Sequence, residues 1–235
     1  MSPAPLPVET PFVAGLPTTL YALSPDELAK SPLLEPLFRL MNAACIATHG
    51  PPYFPAPAVR FASLDALIAE LAKDGTVYML AQTLPGGEVR VVGSVSDEPY
   101  EEPTVEEKST GKATPADFHP RLEGDAEHEY RRALRLLATD PTLHRQGIGG
   151  FLMTFLEDHL IRRAKALRQE TESRRALTHF HWVLTTVGEI NGRFYMGRGW
   201  RMIQEKPVPA GYLDLGVPIT IATMDKLVEL DPSGA

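Results

Sequence analysis

The stretch Leu136–Gly150, LLATDPTLHRQGIGG, decides how the rest of the chain is interpreted. A run of strand-forming residues ends in it, a turn containing Asp140 and Pro141 follows, and a glycine-rich segment opens the longest amphipathic helix. The first amides of a helix have no acceptor within the helix and carry the positive end of its dipole, so they suit a phosphate or diphosphate. Glycines let such a ligand approach the backbone closely. The pattern indicates an anion-binding turn, and its alternative is a helix packed tightly on a strand.

Two other phosphate-binding motifs do not fit this stretch. A Walker loop requires Gly-Lys-Ser/Thr, and no lysine is present here. A dinucleotide fingerprint requires Gly-x-Gly-x-x-Gly soon after the first strand of a βαβ unit, whereas this turn lies past the middle of the chain and lacks the third glycine. Neither nucleotide-binding class is therefore expected.

The composition is that of a globular protein of 235 residues, with 43% hydrophobic and 23% charged residues. A single cysteine, Cys45, excludes an intramolecular disulfide and favours a reducing compartment. No apolar run approaches the ~18 residues of a membrane span, and the N-terminal MSPAPLPVETPF does not read as a secretory signal. We therefore expect a cytoplasmic protein without a membrane partner.

The negative charge is concentrated in one segment. Ten of the 30 acidic residues but only three of the 23 basic ones lie between Glu98 and Glu129, so this segment accounts for the whole formal net charge of −7. No basic stripe is present elsewhere, and we expect no nucleic-acid partner.

Apolar periodicity predicts one mixed α/β domain over residues 18–225, preceded by a proline-rich arm over 1–17 and followed by a tail over 226–235. Residues 98–129 lack this periodicity and are predicted to be an acidic insertion or long loop. The predicted elements are, in chain order, strand 18–23, a helix beginning at Ser31-Pro32, a helix capped by Ser63, strands 76–83, 89–96 and 130–138, helix 147–168, strand 178–187, a short helix 192–198, a strand from Trp200 and strand 218–224.

The glycine-rich turn resembles the acetyl-CoA signature of the GNAT N-acetyltransferase superfamily, whose diphosphate loop has the form Gln/Arg-x-x-Gly-x-Gly/Ala. Here residues 144–149 read HRQGIG, and Pro141 stands three residues before them. The same proteins carry a later Tyr-x-x-x-Gly-Phe, and Tyr195–Trp200 (YMGRGW) lies at the expected distance. The predicted element order also matches from about residue 18 to 225. The resemblance implies a mixed, mostly antiparallel central sheet flanked by helices.

The resemblance also implies roles for particular residues. The strand end would pair its backbone with the pantetheine arm, and an amide near its last residue would polarise the thioester carbonyl. Backbone amides of the loop would hold the diphosphate of acetyl-CoA. Tyr195 would protonate the departing CoA thiolate. The residues assigned to acetyl-CoA on this basis are Leu136, Leu137 and Ala138 of the strand end and His144, Arg145, Gln146, Gly147, Ile148, Gly149 and Gly150 of the loop.

Three features depart from the family pattern. The first loop position is His144 instead of Gln or Arg. The asparagine that these proteins often place seven residues before the tyrosine is Gly188 here, and Asn191, one helical turn out of register, is the nearest candidate for that cofactor contact. The acidic insertion lies close to where many relatives bind the acceptor, so the identity of the acceptor is not inferred from the family.

The candidate general base lies just before the fourth predicted strand, where some relatives place a glutamate. Glu129 is the candidate, and the alternative is a solvated charge. His179 and His181 project from one face of a strand, which is metal-ligand geometry, but no third ligand is evident and we predict no metal. His181 has a second interpretation, as a side chain that reaches the acceptor site.

These observations predict an enzyme, an acetyl-CoA-dependent N-acetyltransferase that transfers acetyl to a primary amine by direct attack. The negative segment favours a cationic acceptor. The alternative, from another class, is a non-catalytic acyl-CoA-binding or interaction protein whose acidic loop docks a basic partner. The proline-rich arm and an edge strand near the C-terminus are compatible with a monomer or a homodimer.

Overall fold

The computed structural model describes residues 3–54, 59–100, 122–170, 176–211 and 215–230. Seven strands form a sheet in the order β1-β2-β3-β4-β5-β7-β6. The pairs β1–β2, β2–β3, β5–β7 and β6–β7 are antiparallel, whereas β4 and β5 are parallel. The predicted mixed, mostly antiparallel sheet is confirmed. The strands are β1 (Thr19–Leu23), β2 (Thr76–Thr83), β3 (Val89–Pro99), β4 (Glu129–Thr139), β5 (His179–Val187), β6 (Arg201–Val208) and β7 (Ile219–Glu229).

Five α-helices are found in the described residues: α1 (Pro25–Leu28), α2 (Leu34–Thr48), α3 (Leu64–Glu70), α4 (Ile148–Glu170) and α5 (Gly188–Met196). Ser63 caps α3 as predicted, because its hydroxyl accepts the amide of Ala66 at 3.1 Å. Helix α1 was not predicted. It is too short to show an apolar period, and its sequence signal is the capping box formed by Ser24 and Glu27.

The described residues divide into two compact units. The first lies within residues 1–50, 56–99 and 134–157 and contains β1–β3, α1–α3, the end of β4 and the start of α4. Its core joins apolar residues of α2, α3, β2 and β3, among them Leu37, Leu67 and Met79, which are fully buried. The helical spacing of Leu37 and Met41 therefore buries the face of α2 that the sequence predicts.

The second unit lies within residues 51–55, 100–133 and 158–235 and contains β5–β7, α5, the start of β4 and the end of α4. Aromatic residues form much of its interior, with Trp182 stacked on Trp200 at a centroid distance of 5.3 Å. The parallel ladder of β4 and β5 runs from the Glu129–His179 pair to the Ala133–Val183 pair. Both strands continue past this last pair, β4 to Thr139 and β5 to Val187.

Several element boundaries differ from the prediction by up to three residues: α2 begins at Leu34 instead of Ser31-Pro32, and β3 extends to Pro99 instead of residue 96. Two larger differences concern β7 and α5. Strand β7 continues through Glu229 into the predicted tail, because it pairs with β5 over the whole length of that strand, as far as His179. Helix α5 begins at Gly188 and not near residue 192, since the carboxylate of Glu189 accepts the amide of Thr220 at 2.8 Å and anchors the first turn.

The predicted acidic insertion over 98–129 falls mostly outside the described residues, which resume at Leu122. Its ends are regular structure, because Glu98 belongs to β3 and Glu129 belongs to β4. Tyr100 and Leu122 are buried in a small cluster with Ala133 and Val183.

Candidate functional site

The strand end predicted to meet the pantetheine arm contains a backbone kink. Leu136 has a left-handed φ of 49°, which is disfavoured for residues other than glycine and bends the strand locally. The hydroxyl of Ser94 on β3 donates to the carbonyl of Leu136 at 3.0 Å and holds this conformation. Leu136 and Ala138 are buried, whereas Leu137 is half-buried. The kink turns one peptide of β4 away from regular strand geometry.

The turn that follows β4 is anchored to β3. One carboxylate oxygen of Asp140 accepts the amide of Thr142 at 2.9 Å, and the other accepts Nε of Arg90 at 2.8 Å. The amide of Asp140 donates to the carbonyl of Val92 at 2.9 Å. Burial alone would raise the pKa of Asp140, but the hydrogen bonds from Thr142 and Arg90 outweigh it and hold the pKa below its usual range. The carboxylate therefore stays ionised and fixes the start of the loop.

The predicted diphosphate loop is exposed and has an unusual backbone. His144, Arg145, Gln146 and Gly147 are all exposed. Arg145 and Gly147 both have left-handed φ values, 64° and 78°. No atom lies within 4 Å of where a Cβ would stand on Gly147, so the space beside this backbone is open. Exposed amides in a turn of this kind form a concave donor surface for an anion.

Helix α4 starts directly after this turn. Its first intrahelical bond joins the amide of Phe151 to the carbonyl of Gly147 at 2.8 Å, so the amides of residues 148–150 precede the helical ladder. A Cβ on Gly93 of β3 would lie 2.5 Å from Cγ2 of Ile148. The absence of a side chain at Gly93 therefore allows the first turn of α4 to lie against β3. The alternative of tight packing therefore holds for this helix start, and its anion-binding role stays a prediction.

The side chain of Gln146 contacts the N-terminal arm. Its Oε1 accepts the amide of Ala14 at 2.7 Å. The sequence motif contains no signal for the contact, because the two residues are 132 positions apart.

Tyr195 lies on α5 with only 6% of its surface exposed. Its ring makes edge contacts with Phe194 and Trp200, at centroid distances of 5.2 Å and 5.8 Å. Burial raises the pKa of the Tyr195 hydroxyl well above its ordinary value, and the nearby charge of Arg198 offsets this rise only in part. The phenol consequently keeps its proton at neutral pH.

Asn191 lies on the same helix, one turn before Tyr195. Its side-chain amide donates to the hydroxyl of Thr186 at 3.0 Å, which ties α5 to the end of β5. The assignment of Asn191 to acetyl-CoA stays a prediction.

Glu129, the candidate base, belongs to a row of charged side chains that crosses four strands. Its Oε2 accepts Nε of Arg131 and Nδ1 of His181, both at 2.8 Å. Nε2 of His181 lies 3.1 Å from Oδ2 of Asp225, and Asp225 also accepts Nε of Arg201 at 3.0 Å. The side chains of Glu129, His181 and Asp225 are 7%, 3% and 4% exposed. We name these five residues the charge row.

The protonation states in the charge row follow from its contacts. Burial alone would raise the pKa of Glu129, but hydrogen bonds from His181 and then Arg131 outweigh it and lower the pKa below its usual range. Glu129 is therefore an ionised, buried carboxylate and not a solvated charge. Both ring nitrogens of His181 face carboxylate oxygens, Nδ1 that of Glu129 and Nε2 that of Asp225. A Cβ on Gly124 would lie 2.2 Å from Oε1 of Glu129, which shows how closely the preceding loop covers this carboxylate.

His179 and His181 do not act as a pair. His179 contacts the hydroxyl of Thr178 at 2.9 Å, whereas His181 contacts the two carboxylates of the charge row. In the part of the chain that the structure describes, no group of His, Cys, Asp or Glu side chains has the arrangement of a metal site.

Sequence reasoning missed the residues that support these groups. Arg90 and Ser94 position the loop and the strand end, and Asp225 and Arg201 complete the charge row. When a single polar residue lies within a strand, the sequence does not indicate which side chain it contacts. The alternation of polar and apolar residues in β4 is the one pattern that predicts Glu129 and Arg131 on the same face.

Taken together, these features define a class of protein, a mixed α/β chain with a kinked strand, an exposed turn of left-handed residues and a long helix that begins at the turn. No family model matches the sequence, and no curated protein matches it. Solved structures do match, and the fold they share with this chain is an acetyltransferase fold.

Three of these structures illustrate the match. The ribosomal-protein-S18-alanine N-acetyltransferase of Escherichia coli is 13% identical, with a TM-score of 0.51, 93% of this chain and 98% of that one covered. An Acinetobacter baylyi structure described as a candidate acetyltransferase is 12% identical, with the same coverage and a TM-score of 0.51. A GNAT-family acetyltransferase of Streptococcus pneumoniae is 12% identical and has a TM-score of 0.48, with 90% and 99% covered. The predicted resemblance is thus confirmed for the fold.

Within the described residues, no helix combines the length and the apolarity that crossing a membrane requires.

Proposed function

We propose that the protein is an N-acetyltransferase that transfers acetyl from acetyl-CoA to a primary amine by direct attack, without a covalent enzyme intermediate. The observation that carries the proposal is the exposed turn with left-handed Arg145 and Gly147, which leads directly into the first turn of α4. A diphosphate matches this donor set in charge and in its number of acceptor oxygens. The anchoring of Asp140 to Arg90 keeps the turn in place before the ligand arrives.

In this proposal the backbone of residues 145–150 holds the diphosphate, and the kinked strand end over 136–138 pairs with the pantetheine arm. An amide near Ala138 polarises the thioester carbonyl, and the same donor stabilises the tetrahedral intermediate that forms on amine attack. Collapse of the intermediate forms the amide and expels the CoA thiolate. Tyr195, which keeps its proton because burial raises its pKa, supplies the proton to that sulfur.

The acceptor amine must be neutral when it attacks, so its ammonium proton goes to a base or to water. Glu129 is the proposed base. Its lowered pKa makes it available as a carboxylate but weakens it as a base, and its Oε2 already accepts two hydrogen bonds. A Glu129→Gln variant tests this role, because a required base predicts a loss of turnover that is steepest at low pH, where the fewest amine molecules are neutral.

We further propose a cationic amine as acceptor, since residues 98–129 contain ten acidic and only three basic residues, and an excess of negative charge favours a cation. The protein is proposed to act in the cytoplasm as a monomer or homodimer, with acetyl-CoA and the amine as its ligands and without nucleic acid, a membrane or a metal.

The first experiment is calorimetric titration with acetyl-CoA of the wild type and of Gly147→Glu, which places a negative side chain in the open space beside the turn. Gly87→Glu is the matched control, because Gly87 also has a left-handed φ, 89°, and no neighbour within 4 Å of a Cβ, but lies in the β2–β3 hairpin. Binding that is retained in Gly87→Glu and lost in Gly147→Glu supports the proposal. Equal binding by all three proteins contradicts it.

The second experiment separates an enzyme from a non-catalytic acyl-CoA-binding protein. With an accepted amine, Tyr195→Phe lowers kcat about a hundredfold and leaves the Kd for acetyl-CoA unchanged. Tyr130→Phe removes a hydroxyl from another buried tyrosine, 7% exposed, and serves as the control. Full transfer by Tyr195→Phe excludes the proposed role of this tyrosine, and acetyl-CoA binding without turnover on any amine favours the non-catalytic alternative.

A further inference from the structure

The N-terminal arm ends in a tight hairpin. Val13 and Leu16 exchange two backbone hydrogen bonds of 3.0 Å, and the two residues between them, Ala14 and Gly15, have left-handed φ values of 50° and 76°. This is the geometry of a two-residue turn that favours glycine or asparagine at both positions. An alanine in this conformation is strained, so the surrounding contacts must hold the turn in place.

The inner side of this hairpin docks on β2. Gln82 is 2% exposed, and its Nε2 donates to the carbonyl of Val13 at 2.6 Å and lies 3.4 Å from that of Leu16. The side chain of Val13 is fully buried. Further back, the amide of Leu6 donates to the carbonyl of Leu20 on β1 at 2.8 Å. The arm is thus attached to the sheet at two places.

The tip of the hairpin contacts the proposed diphosphate loop. The amide of Ala14 donates to Oε1 of Gln146 at 2.7 Å, and Gln146 stands between the two left-handed residues Arg145 and Gly147. A single hydrogen bond therefore joins two turns that are both strained. A strained backbone conformation persists where contacts with the surrounding structure hold it in place. For the loop, the hairpin supplies such a contact.

We propose that the hairpin formed by residues 13–16 is a brace that positions the anion-binding loop, with Gln146 as the positioning residue and Gln82 as the group that fixes the brace. The bond to Ala14 restricts the side chain of Gln146 and the conformations of the loop, so the loop amides are aimed before the ligand binds. This inference rests on the proposed function only in taking the ligand to be acetyl-CoA.

The proposal predicts that Gln82 affects acetyl-CoA binding, although the ligand is held by a different segment, the anion-binding loop. Gln82→Met removes the donor that fixes the hairpin, and Gln146→Met removes the acceptor for its tip. Each variant is expected to raise the Kd for acetyl-CoA about three- to tenfold, the effect of losing one hydrogen bond of ordinary strength. The double variant is expected to match the single variants, because both remove the same brace. The control is Gln169→Met, the same substitution at an exposed position of α4.

Amide hydrogen exchange reports whether the hairpin has been released. In Gln82→Met the amide of Leu16 should exchange faster, and the amide of Phe151, which closes the first turn of α4, should follow. The proposal is overturned if Leu16 exchanges faster while the Kd is unchanged, or if Leu16 stays protected in Gln82→Met. It is also overturned if the effects of the two substitutions add, since Gln146 would then act on the ligand directly.

The experiments distinguish failure of the proposed function from failure of the brace. If the wild type binds no acetyl-CoA, that function is wrong, and the exchange of Phe151 in Gln82→Met still tests the brace. Unchanged exchange there would refute the brace itself.

Discussion

Removal of His181 should destabilise the second unit strongly. The two ring nitrogens of His181 contact two carboxylates that are almost wholly buried, those of Glu129 at 2.8 Å and Asp225 at 3.1 Å. Breaking a buried ion pair by removing one partner costs about 3–5 kcal/mol, because the remaining charge is left without compensation. Each carboxylate here keeps an arginine, Arg131 or Arg201, so we expect the lower end for His181→Ala, about 3 kcal/mol.

The matched control for this prediction is His179→Ala. His179 lies two residues earlier on the same strand, is only half-buried, and contacts the hydroxyl of Thr178. We expect its substitution to change the free energy of unfolding by no more than about 0.5 kcal/mol. Urea denaturation at pH 7 measures both variants, and for a chain of this length the loss in His181→Ala corresponds to a fall in Tm of roughly 6–12 °C. Equal losses in the two variants, or a loss under about 1 kcal/mol in His181→Ala, would refute the reasoning.

The same variant should change how stability depends on pH. The pKa of Glu129 is lower in the folded protein than its ordinary value of 4.5, so its contribution is present above about pH 4.5 and is lost as the pH falls through the folded pKa. His181→Ala removes the hydrogen bond that contributes most to this lowering. The acid-induced loss of stability should therefore be smaller in the variant than in the wild type, which urea midpoints between about pH 3.5 and 7 would show.

Three further results are expected. Gly93→Ala should weaken acetyl-CoA binding at least tenfold in calorimetry, since its Cβ would stand 2.5 Å from Ile148 and displace the first turn of α4; an unchanged Kd would mean that this contact does not position the turn. Gly124→Ala should lower the free energy of unfolding by at least about 2 kcal/mol, because the new Cβ would stand 2.2 Å from the carboxylate of Glu129 at a left-handed φ of 124°. In an alkaline spectrophotometric titration, Tyr195 should ionise at higher pH than an ordinary tyrosine, and Tyr195→Phe should remove this late component and no other.

Features set by local chemistry could be predicted from the sequence. Strand β2 covers the predicted residues 76–83, and α4 begins at Ile148, one residue after the predicted start. Glycine and apolar spacing act over a few residues, so they specify a helix start or a strand without knowledge of distant partners. The two motifs that indicated the GNAT resemblance are short for the same reason, and the fold is confirmed.

The boundaries that were missed depend on pairing between distant segments. Residues 226–229 look like a polar tail but form the end of β7, because the antiparallel partner β5 extends that far. Strand ends follow the length of the neighbouring strand as much as their own composition, and that length is a property of the sheet.

The sequence by itself indicated the strand end followed by a glycine-rich turn and, through its resemblance to a known family, the fold class and Tyr195 as a candidate acid. Only the tertiary structure decided that Glu129 is buried in an ionic network, since its partner His181 is 52 residues away and Asp225 is another 44 beyond. It also decided that Gln146 belongs to a contact with Ala14, across 132 residues. Periodicity and turn propensity express interactions within a few residues, whereas the partner of a polar side chain depends on the register between segments, which becomes fixed only when the chain packs.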